Sequence, residues 1–270
     1  MSPTEALALN LLVLLVFALL YFGACWLIAR RLDNWSIVDV AWAFGFALAG
    51  AWILSVHASG HRLGGQGLLM AVATIAWSLR LGTHLAVRVL GHLDREDGRY
   101  LRMRAEWGAS TPAKMATFYL LQAVALALLC LPLLSAAGPE TLTPLRPIHL
   151  AGLAVVVLAL AGEAVADAQL AAFKGSPENK GAVCDRGLWS WSRHPNYFCE
   201  WLIWAGFALM SYNDAFRGIP GLLCAGIMYH LLTKVTGVPM TEQQLLASKG
   251  EAYARYQARV SAFWPRPPKA

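Results

Sequence analysis

The chain has 270 residues, 57% of them hydrophobic and 14% charged, with a mean hydropathy of +0.49 and a formal net charge of +6. That composition places it among polytopic membrane proteins rather than soluble domains. The basic excess does not call for nucleic acid, because a membrane protein with positive inner loops carries such an excess anyway.

The first apolar stretch runs without a charge between Glu5 and Arg30. No basic region precedes it and no clear small-residue cleavage site follows, so a retained helix is expected rather than a signal peptide. Further spans are expected over 36–56, 66–87, 115–134, 148–173, 195–212 and 218–233, which makes about seven in an all-α bundle. Pro139, Pro144 and Pro147 mark an outer loop, and Gly175 to Gly181 an inner one. The polar stretch 245–260 is helix-compatible and is expected as a cytoplasmic cap, with Trp264 at the interface. With the amino terminus outside, the inner loops and tail carry 18 basic residues and the outer loops three, Arg62, Arg146 and Arg217. This asymmetry predicts an outer amino terminus and a cytoplasmic carboxyl terminus, with a bacterial inner membrane as the expected location. Five scattered cysteines without a CxxC pair are read as structural thiols.

Ionisable residues inside apolar spans point to function. Glu163 and Asp167 lie four apart, on one face of the fifth span, with Gln169 and Lys174 following. The sixth span opens on Ser192-Arg193-His194-Pro195-Asn196-Tyr197-Phe198-Cys199-Glu200. Pro195 fixes a helix start, so Arg193, His194, Asn196, Tyr197 and Glu200 project from a short length of chain. Arg193 suits phosphate or carboxylate, His194 suits phosphate contact or proton transfer, and Asn196 binds amides or hydroxyls in both directions. Trp189 and Trp191, just before this lip, are read as interfacial anchors. In the amino-terminal half, Ser36 and Asp39 have the spacing of a capping box, and Asp39 is equally a site candidate. Arg80, His84 and Arg88 form a stripe on the third span that predicts a water-filled or ligand-lined face. The mixed-charge stretch from Asp94 to Arg104 reads as a loop network. A metal site is not expected: His57 and His61 lack a carboxylate within reach, and HExxH, GxSxG, GxGxxG and P-loop motifs are absent.

The Gly187-Leu188-Trp189 element, the lip, Glu200 and the upstream Glu163 and Asp167 resemble the carboxyl-terminal domain of steroid 5-alpha-reductases. From Ser36-Ile37-Val38-Asp39 to Phe263 the chain is similar to an uncharacterised bacterial membrane branch of that superfamily, of the DUF1295 type. The resemblance implies one integral membrane domain over 1–270 that binds NADPH from the cytosol. The reaction it implies is reduction of an activated carbon–carbon double bond in a lipophilic substrate, whether steroid, prenyl or acyl-lipid. The cofactor would lie in the half spanning 148–270, held by groups such as Glu163, Asp167, Asn196, Tyr197 and Glu200. Lys174, Arg193 and Arg259 are expected to serve its phosphates, and His194, Tyr253 and Tyr256 complete the set. The substrate would enter among the helices of 1–134. The steroid reductases carry a Gln-Glu pair on the second span and a Tyr on the third; this chain lacks the pair, and Asp39, Arg80 and His84 are expected to replace the carbonyl-polarising set. The lip, followed by Glu242 and Gly250-Glu251-Ala252-Tyr253-Ala254-Arg255-Tyr256, is also similar to isoprenylcysteine and phospholipid membrane methyltransferases, which use S-adenosylmethionine. A non-enzymatic lipid-binding protein is the third reading. The expected partners are a lipophilic small molecule and membrane lipid.

Overall fold

The computed structural model describes residues 2–58, 63–137 and 145–269, and the regular structure among them is helical. Pro139, Pro144, His61 and the side chain of His57 lie outside the described residues. The chain divides into two compact units, Met1–His149 with Met210–Pro220, and Leu150–Leu209 with Gly221–Ala270.

The first unit contains α1 (Pro3–Arg31), α2 (Ile37–Ala58), α3 (Gly65–Leu90), α4 (Gly98–Trp107), α5 (Thr111–Leu129) and α6 (Leu131–Ala136). A capping box starts α1: the Glu5 amide donates to Ser2 Oγ at 3.3 Å, and the Ser2 amide donates to Glu5 Oε2 at 2.8 Å. Leu14, Ala18 and Phe22 are buried while Leu12, Val16 and Leu20 are exposed, the division expected of a helix with one face on protein and one on lipid. Antiparallel α2 and α3 approach closely through small residues. A Cβ added at Gly50 would sit 2.7 Å from Ile75, and one at Gly82 would sit 2.8 Å from the Phe44 ring. Ser78 Oγ donates to the Ala43 carbonyl at 2.5 Å and accepts from the Ala47 amide at 2.7 Å, entering the backbone ladder of α2. Pro132, which has no amide to donate, accompanies the break between α5 and α6.

In the second unit, α7 (Pro147–Gly175), α8 (Pro195–Met210) and α9 (Ile219–His230) lie for most of their length, followed by a π-helical turn and by α10 (Val238–Lys249) and α11 (Glu251–Arg259). Helices α7 and α8 pack almost backbone to backbone. A Cβ at Gly206 would lie 2.6 Å from Val156 and 2.8 Å from the Gly152 carbonyl, and one at Gly162 would lie 2.9 Å from Cys199 Sγ.

Six helical stretches among the described residues are long and apolar enough to cross a membrane, against about seven expected. The difference is α8, whose 16 residues cover about 24 Å at 1.5 Å per residue, short of the roughly 30 Å hydrocarbon core. The helix expected over 245–260 is also two helices. Gly250, at φ +54°, turns the chain between α10 and α11 in a conformation that L side chains resist.

Candidate functional site

In the second unit the chemistry begins on the inward seam of α7. Gly152, Val156, Ala159, Glu163 and Ala166 are buried at helical spacing, so Glu163, only 4% exposed, sits within an apolar stripe. Across from it, α8 starts at Pro195 and carries Asn196 and Glu200 one turn apart. Asn196 Nδ2 donates to Asp167 Oδ1 at 3.4 Å, linking the two helices. Glu200 is 8% exposed and accepts from Trp204 Nε1 at 3.1 Å. Four of the expected cofactor residues therefore share one helix pair. Tyr197 points to α10, where its hydroxyl and Thr241 Oγ1 lie 3.0 Å apart, and its ring stacks on His194 with 5.2 Å between centroids.

Arg193 is placed otherwise than a phosphate ligand would be. Its Nε donates to Glu242 Oε1 at 2.6 Å, one terminal nitrogen donates to the carbonyls of Gln257 and Val260, and its amide donates to the Ser261 carbonyl at 2.8 Å. Glu242 collects further donors: Gln257 Nε2 at 2.7 Å, His194 Nε2 at 3.2 Å and the Tyr253 hydroxyl at 3.5 Å. A carboxylate only accepts, so the His194 proton sits on Nε2. Burial holds the His194 imidazole below its ordinary value, against the smaller opposing pull of Glu242. Tyr256 donates to the Trp189 carbonyl at 2.5 Å, and burial pushes both Tyr253 and Tyr256 above the usual phenol range. Arg193, His194, Tyr253 and Tyr256 thus form a latch that fastens α10 and α11 to the chain ahead of α8. Its hub, Glu242, did not figure among the residues expected at the site, nor did Gln257 and Thr241. Glu242 stands 49 residues beyond Arg193 in a helix of mixed character, and its only signal is the tail shared with the methyltransferases.

The loop between α7 and α8 is built on Gln169 and Trp189. Gln169 Oε1 accepts from the Leu188 amide at 2.9 Å, beside Gly187 at φ +58°, where a Cβ would strike the same carboxamide at 2.6 Å. Trp189 is buried and donates to the Ala166 carbonyl at 2.9 Å, so it braces α7 rather than anchoring at the interface; Trp191, 50% exposed, suits the anchor role. Lys174, Lys180, Arg186 and Arg259 are exposed at this end, with Arg186 over the Phe173 ring and Arg259 3.2 Å from Asp185.

In the first unit Asp39 accepts from Arg99 at 2.6 Å, from the Tyr100 hydroxyl at 2.8 Å and from Arg88 at 3.4 Å. No capping box forms there. Ser36 Oγ instead accepts from the Asp97 amide at 2.9 Å, tying the α1–α2 loop to the start of α4. Burial raises the Asp97 carboxyl, but Arg99 and Arg88 outweigh it and hold the group below its ordinary value. Glu96 and Arg104 extend this network to Trp35 and Asp33. Asp39 is therefore held as an acceptor by two arginines and a tyrosine. His84 is exposed and Arg80 half-buried, one and two turns along α3 from the end where Arg88 meets Asp39.

These features define a polytopic helical membrane protein with a partly buried polar row on one helix pair and an ion-paired plate at the end of another bundle. The family model described as "Protein of unknown function (DUF1295)" matches residues 25–260, and the chain belongs to that family. No curated protein and no solved structure matches it.

Proposed function

We propose that this protein is a membrane-embedded, NADPH-dependent reductase of an activated carbon–carbon double bond in a lipophilic substrate. The observation that carries the reading is the row Glu163, Asp167, Asn196 and Glu200 on α7 and α8, linked by the 3.4 Å contact from Asn196 to Asp167, with Glu163 and Glu200 buried and Asp167 and Asn196 half-buried. Buried polar groups in a membrane helix pair are costly unless they serve each other or a ligand. The donor set suits the cofactor in two parts. The carboxylates and the Asn196 amide match a carboxamide and ribose hydroxyls, which need acceptors and one donor. The exposed Lys174, Lys180, Arg186 and Arg259 match phosphates. Arg193 is spent on Glu242 and two carbonyls, so its part is to hold α10 and α11 in place. When bound, NADPH supplies the reducing equivalent for the double bond, and a proton completes the addition. S-adenosylmethionine carries no phosphate and would leave the basic rim without a ligand.

The 18-to-3 distribution of basic residues supports an outer amino terminus and a cytoplasmic carboxyl terminus, with α8 crossing in a locally thinned bilayer. This topology puts the basic rim in the cytosol, where NADPH resides.

The test is to titrate NADPH and S-adenosylmethionine separately into purified protein in detergent. NADPH is expected to saturate, and Asp167→Asn and Asn196→Ala are each expected to weaken it about tenfold, or about 1.4 kcal/mol, without loss of helicity. Saturable S-adenosylmethionine binding with none for NADPH would replace the reductase with a methyltransferase.

A further inference from the structure

We propose that His149 is an acid-sensitive pin: its neutral ring fastens the connection between α8 and α9 to the first unit, and proton uptake releases that connection. The inference is independent of the reductase reading. Every residue it uses lies in the stretches Met1–His149 and Met210–Pro220 of that unit. His149 is fully buried in the first turn of α7, three residues after Arg146. Its Nδ1 accepts from the Arg146 amide at 3.1 Å, and its own amide donates to the Arg146 carbonyl at 3.0 Å. The ring thus fills the role that a Glu or Gln side chain has in a capping box. Because Nδ1 accepts, the ring proton sits on Nε2, which donates to the Tyr212 carbonyl at 2.8 Å. Gln66 Nε2 donates to the same carbonyl at 2.8 Å and to that of Met210 at 2.9 Å. Asn213 Nδ2 donates to the Ser135 carbonyl at 3.0 Å, and its Oδ1 accepts from the Phe216 amide at 2.8 Å. Gln66, Ser135 and Asn213 are all buried.

Both bonds of the ring depend on its charge state. A second proton must go to Nδ1, where it meets the Arg146 N–H, so an acceptor is lost and two donors face each other. It also places a buried positive charge in the first turn of a helix, the end that disfavours cations, and no acidic residue stands in that turn. The neighbouring charges give no relief. Among the described residues, Arg146 and Asp214 are bonded to each other by two contacts, at 2.9 and 2.5 Å. Arg217 lies close enough to act on Asp214 as well, and the titratable Tyr212 phenol lies near Arg146. The bonding residues from α3 and α6, Gln66 and Ser135, are uncharged. The one carboxylate is therefore committed, and the other charges are cations. The ring takes up its proton more readily once it has left this place, so the pinned state is lost as pH falls. On the topology proposed above this end faces outside, which makes external acid the signal.

The experiment is hydrogen exchange with mass spectrometry on the purified full chain in detergent, from about pH 8 to about pH 5, with rates corrected for intrinsic pH dependence. The Phe216 and Arg217 amides, bonded to Asn213, report the connection. The Ala47 amide, bonded to Ser78 on α3, reports the rest of the unit. In wild type, protection of Phe216 and Arg217 is expected to fall by up to about tenfold per pH unit while Ala47 stays protected. The fall should begin where His149 itself gains its proton, read in the same samples from exchange of its imidazole C2–H. His149→Gln can accept and donate with no proton to gain, and its protection is expected to stay level. Constant protection in wild type, or an equal fall in His149→Gln, would overturn the proposal. So would a parallel loss at Ala47, which would mark general acid unfolding. If His149→Gln fails to fold, the wild-type comparison decides: a protonated His149 with the connection still protected, or release while His149 is neutral, would refute the pin.

Discussion

Removing Glu242 tests the latch most sharply. Its carboxylate is 15% exposed and its main partner, the Arg193 guanidinium, is 10% exposed, at 2.6 Å. Truncating one member of a buried pair strands the other, at about 3–5 kcal/mol, whereas an exposed pair of the same geometry would be worth about 0–1 kcal/mol. Glu242→Ala also frees Gln257 and His194, so the low end of the buried range is the floor. At about 2–4 °C per kcal/mol, a loss of 3 kcal/mol lowers the melting temperature by about 6–12 °C. Arg193→Ala should do the same, and the double variant should be less destabilised than the sum by about 0.5–3 kcal/mol. Thermal unfolding of purified protein, followed by tryptophan fluorescence, reads all three. Protease should also cut within 238–260 faster in the single variants, because the latch is what fastens α10 and α11. Single variants that melt within about 2 °C of wild type, with strict additivity, would show that the pair is screened and that Arg193 is available to a ligand.

Three further outcomes follow from particular contacts. His194 is held neutral by burial, so the unfolded chain binds its proton first as pH falls; stability contributed above the ordinary value near 6.5 is lost as pH drops through the folded value. Melting curves between pH 8 and pH 5 should fall more steeply for wild type than for His194→Gln, and equal slopes would refute this. Gly206→Ala should destabilise more than Gly162→Ala, because its Cβ meets the fixed Gly152 carbonyl at 2.8 Å while the other meets a movable Cys199 thiol at 2.9 Å; the gap should be about 1–3 kcal/mol, read by the same melting assay. Reporter fusions after Leu145 and after Lys269 should report outside and cytoplasm respectively; a shared compartment would mean that α8 does not cross.

The spans were legible because a long apolar run has one physical use, and α1, α3 and α7 follow from hydropathy alone. Glu163 with Asp167, and Asn196 with Glu200, were legible as pairs because helical spacing is local. What those pairs face was not, because the 3.4 Å contact from Asn196 to Asp167 depends on Gly162 and Gly206 letting two backbones meet. Ser36 shows the same limit in reverse. Its spacing to Asp39 promises a local cap, but a partner 61 residues away, the Asp97 amide, takes its hydroxyl instead. Trp189 reads as an interface anchor by position, yet the Ala166 carbonyl draws it inward. Glu242 was hidden for a related reason: apolar and polar residues are spread around α10 without a one-sided pattern, and no periodicity singles out the one carboxylate that points to Arg193.

The α7–α8 row, with its basic rim, is proposed to hold a phosphate-bearing nicotinamide cofactor. Mass spectrometry of small molecules released on denaturing the gently purified protein tests it most directly. NADP(H) at a substantial fraction of the protein, lowered in Asp167→Asn, is the predicted result. S-adenosylmethionine or its demethylated product in its place would contradict it.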